Sequence, residues 1–165
     1  MRNTISLYLI TLITFFSLFI GCRSNTGEEF REPDFSTVPP PYDTTGVEAV
    51  NIGDGIMTYT IEEGTGSFTV VNRDQVSIFF TLRRTNGDIV NSTYADGRTL
   101  PQIIVVGSLS IEGLRRGLIG MKTREKRTLV VPPAFGYANV SETNPNYFLR
   151  NDTLIYDVYL FNILD

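Results

Sequence analysis

The chain has 165 residues, 42% hydrophobic and 19% charged, enough apolar material for one folded domain with additional segments. Its net charge of −4 lacks the clustered basic face that nucleic-acid binding requires. With no histidine and one cysteine, Cys22, it cannot assemble a His/Cys zinc site, a Ser-His-Asp triad, a Cys-His pair or an internal disulfide, so catalysis would have to use carboxylates, hydroxyls, backbone groups or an apolar pocket.

Residues 1–21 read as an export signal. Arg2 gives a positive start, and residues 5–20 form an apolar run shorter than the roughly 20 residues of a membrane-spanning helix. The run ends in Phe19-Ile20-Gly21-Cys22. A small residue before cysteine resembles the lipobox at which bacterial lipoproteins are cut and acylated, although Phe19 stands where leucine is more usual. The alternative is a plain signal with an incidental cysteine; the position of the chain's only cysteine favours acylation. Cys22 is therefore expected to carry a lipid anchor in a bacterial cell envelope, in the outer membrane. Glu28-Glu29 resembles the acidic export signals of some Bacteroidetes surface lipoproteins. Residues 22–46 are polar, carry Pro33, Pro39, Pro40 and Pro41, and show no period of 2 or 3.6. They are expected to form an extended tether, either a spacer or a proline-rich ligand for another protein.

Residues 47–165 are expected to be the folded domain. Ile56, Thr58 and Thr60 alternate with Met57, Tyr59 and Ile61, the period of a strand. Glu62-Glu63-Gly64-Thr65-Gly66 is a turn, and 68–71 either extends the first strand or pairs as an edge. Residues 75–83 form a strand with Val76, Ile78, Phe80 and Leu82 on one face. Asn86-Gly87 is a hairpin dipeptide, 88–91 returns as a short strand, and 92–100 is a polar surface loop. Residues 103–106 are β-branched and suit the sheet interior.

Residues 111–118 read as a short amphipathic helix. Ser108 or Ser110 can cap its start, and Glu112 suits the first turn. Ile111, Leu114 and Leu118 share one apolar face while Arg115 and Arg116 face water. The basic residues from Arg115 to Arg127 read as a solvated helix edge and turn. Gly117 and Gly120 limit the helix to a couple of turns. Residues 124–131 form a strand stopped by Pro132-Pro133. A long loop over 134–150 carries Phe135, Tyr137, Tyr147 and Phe148, and 153–164 is a last strand with Leu154, Tyr156, Val158 and Leu160 on one side. The fold class is α+β, a mainly antiparallel sheet with one short helix. The helix, turn, strand and aromatic loop of 111–137 pack a helix on a sheet and build a pocket beside it.

The ordered set Glu63-Gly64-Thr65-Gly66, Asn86-Gly87, Val106-Gly107, Ile111-Glu112-Gly113-Leu114, Gly117-Leu118, Met121-Lys122, Glu125-Lys126-Arg127, Val131-Pro132-Pro133, Gly136-Tyr137 and Thr153-Leu154-Ile155-Tyr156-Asp157-Val158 resembles the FKBP-type peptidyl-prolyl cis-trans isomerases. The resemblance runs from about residue 55 to the C-terminus. It implies an antiparallel sheet half-wrapped around the helix, with a pocket between them that takes the proline ring of an Xaa-Pro segment and needs no metal or cofactor. It implies that Tyr137 donates its hydroxyl to a ligand carbonyl and that Ile111, next to Ser110, lines the pocket and offers a backbone N–H. Tyr156 takes the place of a pocket phenylalanine and Phe80 that of a tyrosine. Ile104 and Val90 replace wall phenylalanines, Asn91 an orienting aspartate, and Leu114 the tryptophan of the floor. Phe148 stands near the place of a usual Pro-Pro. Tyr137, Asn91 and Tyr156 are thus the expected catalytic residues. Phe80, Val90, Ile104, Ser110, Ile111, Leu114 and Phe148 are the expected substrate-binding ones.

Two functions fit these residues. The first is an isomerase acting on Xaa-Pro bonds of exported or envelope proteins, using a dry apolar pocket to favour the twisted amide. The second is an isomerase-like module that only binds proline-containing polypeptides, as a chaperone or a subunit of an envelope complex. The substitutions at Leu114, Val90 and Asn91 motivate the second; retention of apolar pocket chemistry favours the first.

Overall fold

A computed structural model describes residues 31–164. The export signal, Cys22 and the beginning of the expected tether lie outside the described residues. The strands are β1 (Ala49–Asn51), β2 (Met57–Glu62), β3 (Gln75–Arg84), β4 (Ile89–Ser92), β5 (Gln102–Val105), β6 (Lys126–Val131) and β7 (Leu154–Leu164). The helix, α1, is Glu112–Leu118. The strands form one antiparallel sheet in the order β1-β2-β6-β7-β3-β4, with β5 joining β3 beside β4. β3 is therefore paired along one edge by β7 and along the other by β4 and β5 in succession. Among the described residues no helix is long and apolar enough to cross a membrane.

The expected alternation holds on β3 and β7. Val76, Ile78, Phe80 and Leu82 join Leu154, Tyr156, Val158 and Leu160 in one buried cluster with Leu114 and Leu118 of α1. Fully burying a side chain of this size stabilises the fold by about 1.5–3 kcal/mol, so this face carries most of the apolar driving force. The helix sits unusually close to β6. A Cβ on Gly113 would lie 2.2 Å from Val131 Cγ1, and one on Gly117 would lie 2.4 Å from Leu129 Cδ1. Gly117 is thus a packing residue inside the helix. The chain leaves α1 at Gly120, in the left-handed region at φ +84°.

Several local expectations change. Neither Ser108 nor Ser110 caps α1: the N-cap is Ile111, with no side-chain hydrogen bond, and the Ser108 hydroxyl donates to the Val105 carbonyl at 2.8 Å. Arg116 is only partly in water, because its guanidinium donates to Asp54 at 2.8 Å and to the Ile52 carbonyl at 3.1 Å. The basic turn is not simply solvated either. It folds around Glu125, only 3% exposed, which accepts from the Lys122 amide at 2.8 Å and from Arg127 Nε at 2.9 Å. Arg127 also donates to the Gly117 carbonyl at 2.8 Å, covering an end that a helix leaves without an internal donor. Residues 68–71 are loop, held because the buried Val70 exchanges backbone bonds of 2.9 Å with Met121 and Gly120.

The sheet face opposite α1 is also covered. The chain divides after Glu32, and Pro33 already belongs with the sheet. Residues 34–42 do not run free as a tether; they lie as a strap over β3 and β7. Asp34 and Asp96 exchange bonds of 2.8 and 2.9 Å, and Thr37 Oγ1 donates to the Tyr94 carbonyl at 2.7 Å. Beneath the strap Arg83 pairs with Asp157 at 2.6 Å, both side chains 6% exposed. Arg83 further donates to the Pro39 carbonyl at 2.6 Å, and Thr128 donates to Asp157 at 2.7 Å. The buried ion pair gives the strap something to bond. A charged pair out of water keeps its stability only when its remaining donors and acceptors are satisfied.

Candidate functional site

Pro132 removes a ladder donor and ends β6, and the turn Pro133–Phe135 then folds the chain back toward α1. The Arg116 guanidinium lies 5.2 Å from the centre of the Phe135 ring, a cation–π contact that fixes the loop's approach to the helix. Between the loop and the start of α1 is a hollow of about 340 Å³, with Ser110, Ile111 and Glu112 on one wall and Phe135, Gly136 and Tyr137 on the other. Asn139, Val140, Asn144 and Asn146 complete its rim.

Tyr137 is half-buried against the core, and below it lies Tyr156, 2% exposed. The two phenols are near enough to interact electrostatically. Burial pushes both phenols above the ordinary tyrosine range, Tyr156 much further; the neighbouring Tyr156 phenol draws Tyr137 part of the way back. Both therefore stay protonated at neutral pH and serve as hydrogen-bond groups, not bases. Phe80 tilts against Tyr156 with ring centroids 6.3 Å apart. Leu114 is 6% exposed in the same cluster.

The structure thus brings Ser110, Ile111 and Tyr137 together on one hollow, with Tyr156, Phe80 and Leu114 in the buried floor. Val90 and Ile104 are half-buried and border that floor. Asn91 and Phe148 stand apart from the hollow: Asn91 is exposed opposite Leu82 of β3, and Phe148 is 56% exposed. Leu149, fully buried, anchors that loop instead. In a one-turn segment, Tyr147–Leu149, one of two adjacent apolar side chains must point outward, and the sequence alone does not say which. The rim asparagines were not anticipated, because nothing in their spacing separates them from ordinary loop residues.

A larger hollow, about 770 Å³, lies elsewhere, between Phe68, Val71 and the end of β7 at Asn162 and Leu164. It shares no lining residue with the Tyr137 hollow. The smaller one is the better candidate because it joins the Tyr137 phenol, a helix start and an apolar floor. Among the described residues no cluster of three or more His, Cys, Asp or Glu side chains is placed to hold a metal ion.

Residues 66–161 match the family model described as FKBP-type peptidyl-prolyl cis-trans isomerase. The chain is 30% identical over 139 residues to the chloroplastic peptidyl-prolyl cis-trans isomerase FKBP16-1 of Arabidopsis thaliana, covering 77% of this chain and 67% of that protein. It is 30% identical over 110 residues to FK506-binding protein 1A of Neurospora crassa, covering 67% and 89%. Among solved structures, FkpA from Escherichia coli superimposes with a TM-score of 0.58 at 26% identity, over 70% of this chain and 51% of that one. The N-terminal domain of FKBP42 from Arabidopsis thaliana shares the fold at a TM-score of 0.61 and 21% identity, over 78% and 99%.

Proposed function

The chain belongs to the FKBP-type peptidyl-prolyl cis-trans isomerases, and from that premise we propose that it accelerates rotation about Xaa-Pro bonds of exported or envelope proteins at the hollow between Ile111 and Tyr137. The observation that carries this reading is the pairing of an apolar floor with one hydroxyl and one helix start facing the same space. Rotation about an amide meets a barrier of about 18–20 kcal/mol, because twisting removes the resonance of the planar bond. The twisted amide is the less polar state, so a dry apolar surface binds it better than the planar one and lowers the barrier. Tyr137 O–H holds a carbonyl of the substrate. The Ile111 N–H lies at the N-cap, where a helix start leaves amide donors without internal acceptors, and it holds a second carbonyl. No bond is broken and no proton leaves the site, which suits a chain whose site phenols stay neutral.

One observation favours the second reading, a module that only binds. Tyr156, Phe80 and Leu114 fill the floor to 2%, 8% and 6% exposure, leaving the hollow shallow. Exchange NMR on Xaa-Pro peptides with varied preceding residues separates the two. Enzymatic activity gives cis–trans exchange faster than the uncatalysed tens to hundreds of seconds. Shift changes on binding, with no acceleration for any peptide, would establish the binding module. Tyr137→Phe should lower the rate about tenfold, the worth of one hydrogen bond of about 1.4 kcal/mol. As part of the same proposal, Cys22 anchors the domain by a lipid to the cell envelope, in the outer membrane. Cys22→Ser should then move the protein from the membrane fraction to the soluble one, and unchanged fractionation would remove the anchor.

A further inference from the structure

The Tyr137 hollow is edged by neutral groups with one exception. Of the residues that line it, Glu112 is the only one with a carboxylate, and no lysine or arginine joins it. The Glu112 side chain is 50% exposed. Its two ion-pair partners are Arg115 at 3.6 Å and Arg116 at 3.8 Å, both beyond hydrogen-bond length. Both arginines are engaged elsewhere. Arg115 donates to the Asn72 side chain at 3.3 Å, and Arg116 donates to Asp54 and the Ile52 carbonyl while its guanidinium lies over the Phe135 ring. Among the described residues none donates a hydrogen bond to the Glu112 carboxylate, so its acceptor oxygens are open to a ligand. The asparagines of the rim differ in kind. An amide both donates and accepts, so Asn139, Asn144 and Asn146 suit a peptide backbone of any sequence, and Glu112 alone brings a sign. An acidic residue at a helix start also favours the helix itself, but that role is indifferent to what the hollow holds.

We propose that Glu112 sets the substrate preference of the hollow: Xaa-Pro segments with a lysine or arginine beside the proline are taken in preference to those with an aspartate or glutamate there. The inference rests on the functional reading above and adds to it the chemical class of the segment. With the proline ring over the apolar floor, the peptide leaves the hollow past its rim, and the side chains next to the proline meet the rim groups. Glu112 directly follows Ile111, whose N–H holds a substrate carbonyl in that reading, so it stands one residue from the bound backbone. A substrate ammonium or guanidinium supplies the hydrogen-bond donors that the Glu112 carboxylate lacks. A substrate carboxylate meets like charge and offers no donor. The pair is partly exposed and screened by salt, so the discrimination is modest, about twofold to fivefold between a cationic and a neutral residue.

The test uses Xaa-Pro peptides that differ only in the residue before or after the proline, carrying lysine, glutamine or glutamate. At low ionic strength kcat/KM should fall in that order on at least one side of the proline. The spread should shrink in about 1 M salt, where charges are screened beyond about 3 Å. Glu112→Gln keeps the shape of the side chain and should bring the lysine-to-glutamate ratio close to one; Glu112→Lys should reverse it. The ratio is taken within one protein, so a lowered folded fraction cancels. Glu142→Gln removes a carboxylate of the neighbouring loop that does not line the hollow, and should leave the ratio as it was. No preference in the unaltered protein, a preference that survives Glu112→Gln, or an equal loss in Glu142→Gln overturns the inference, the last by assigning the effect to the charge of the whole chain. If peptides bind without being accelerated, the same ratios are read on Kd by chemical-shift titration. Catalysis without preference sinks only the inference, and binding with preference but without catalysis sinks only the isomerase reading.

Discussion

The two faces of the sheet are built on opposite principles. Toward α1 the side chains are Leu, Val, Ile and aromatic rings, and the close approach is made by deleting side chains at Gly113 and Gly117. Toward the strap the centre is an ion pair, Arg83–Asp157, buried to 6% exposure and bonded on all sides. The first face tolerates any neighbour that is apolar and of the right size. The second depends on particular atoms, because burial pushes the Asp157 carboxyl above the usual range and only Thr128, Arg83 and the Tyr42 amide pull it back. The site lies on the helix side, over an apolar floor, with Ser110, Glu112, Tyr137 and the asparagines Asn139, Asn144 and Asn146 supplying polar groups around it.

Breaking the charged face should have the largest effect. Asp157→Asn leaves the Arg83 guanidinium buried without its counter-charge, a loss of about 3–5 kcal/mol readable in urea denaturation. The double variant Arg83→Met with Asp157→Leu should recover part of that loss, since no charge is left unpaired although the Thr128 hydroxyl, the Pro39 carbonyl and the Tyr42 amide lose their partners. If the double variant is as unstable as the single, the strap needs the charges for more than mutual satisfaction. On the helix face, Gly113→Ala sharpens the contrast. In an open helix the change would gain about 1 kcal/mol. Here the new Cβ meets Val131, and overpacking of about 1–3 kcal/mol reverses the sign. The thermal midpoint should therefore fall. The smallest effect near neutrality is on pH. Tyr137 and Tyr156 have folded pKa values raised above the unfolded value of about 10. Their contribution is intact below that value and is lost as pH rises above it, because the unfolded chain then releases protons that the fold retains. Each group removes about 1.4 kcal/mol per pH unit in that window. Denaturant midpoints should be level up to pH 9 as far as these groups are concerned and decline beyond 10, and Tyr156→Phe should soften the decline.

The helix face was legible in the sequence because apolar periodicity records it directly. The alternation in β3 and β7 and the spacing of Leu114 and Leu118 each name one side. The expectation for Tyr137 rests on the family resemblance of Val131-Pro132-Pro133 and Gly136-Tyr137, not on a period. The outer face was not legible, since Arg83 and Asp157 alternate with apolar residues as solvent-facing positions would, and nothing local reveals that a segment over 40 residues away will cover them. β1, three exposed residues of Ala-Val-Asn, has no pattern long enough to carry a period. Phe148 stands exposed beside the buried Leu149, and which of two adjacent apolar residues a one-turn segment buries is not written in local sequence. The packing of Tyr137 on the cluster that holds Tyr156 required the fold, because the two residues come from a loop and a strand that only packing makes neighbours.

The strap also bears on how far this domain is portable. The family model matches from residue 66, but the Pro39 carbonyl that Arg83 uses and the Tyr42 amide that faces Asp157 lie upstream of it. A graft or fusion cut at the family boundary would discard β1, β2 and the strap together, and would transplant an ion pair with one side open to water. The compact unit that holds the sheet begins at Pro33 and includes the strap, so a portable domain would start there and not at residue 66.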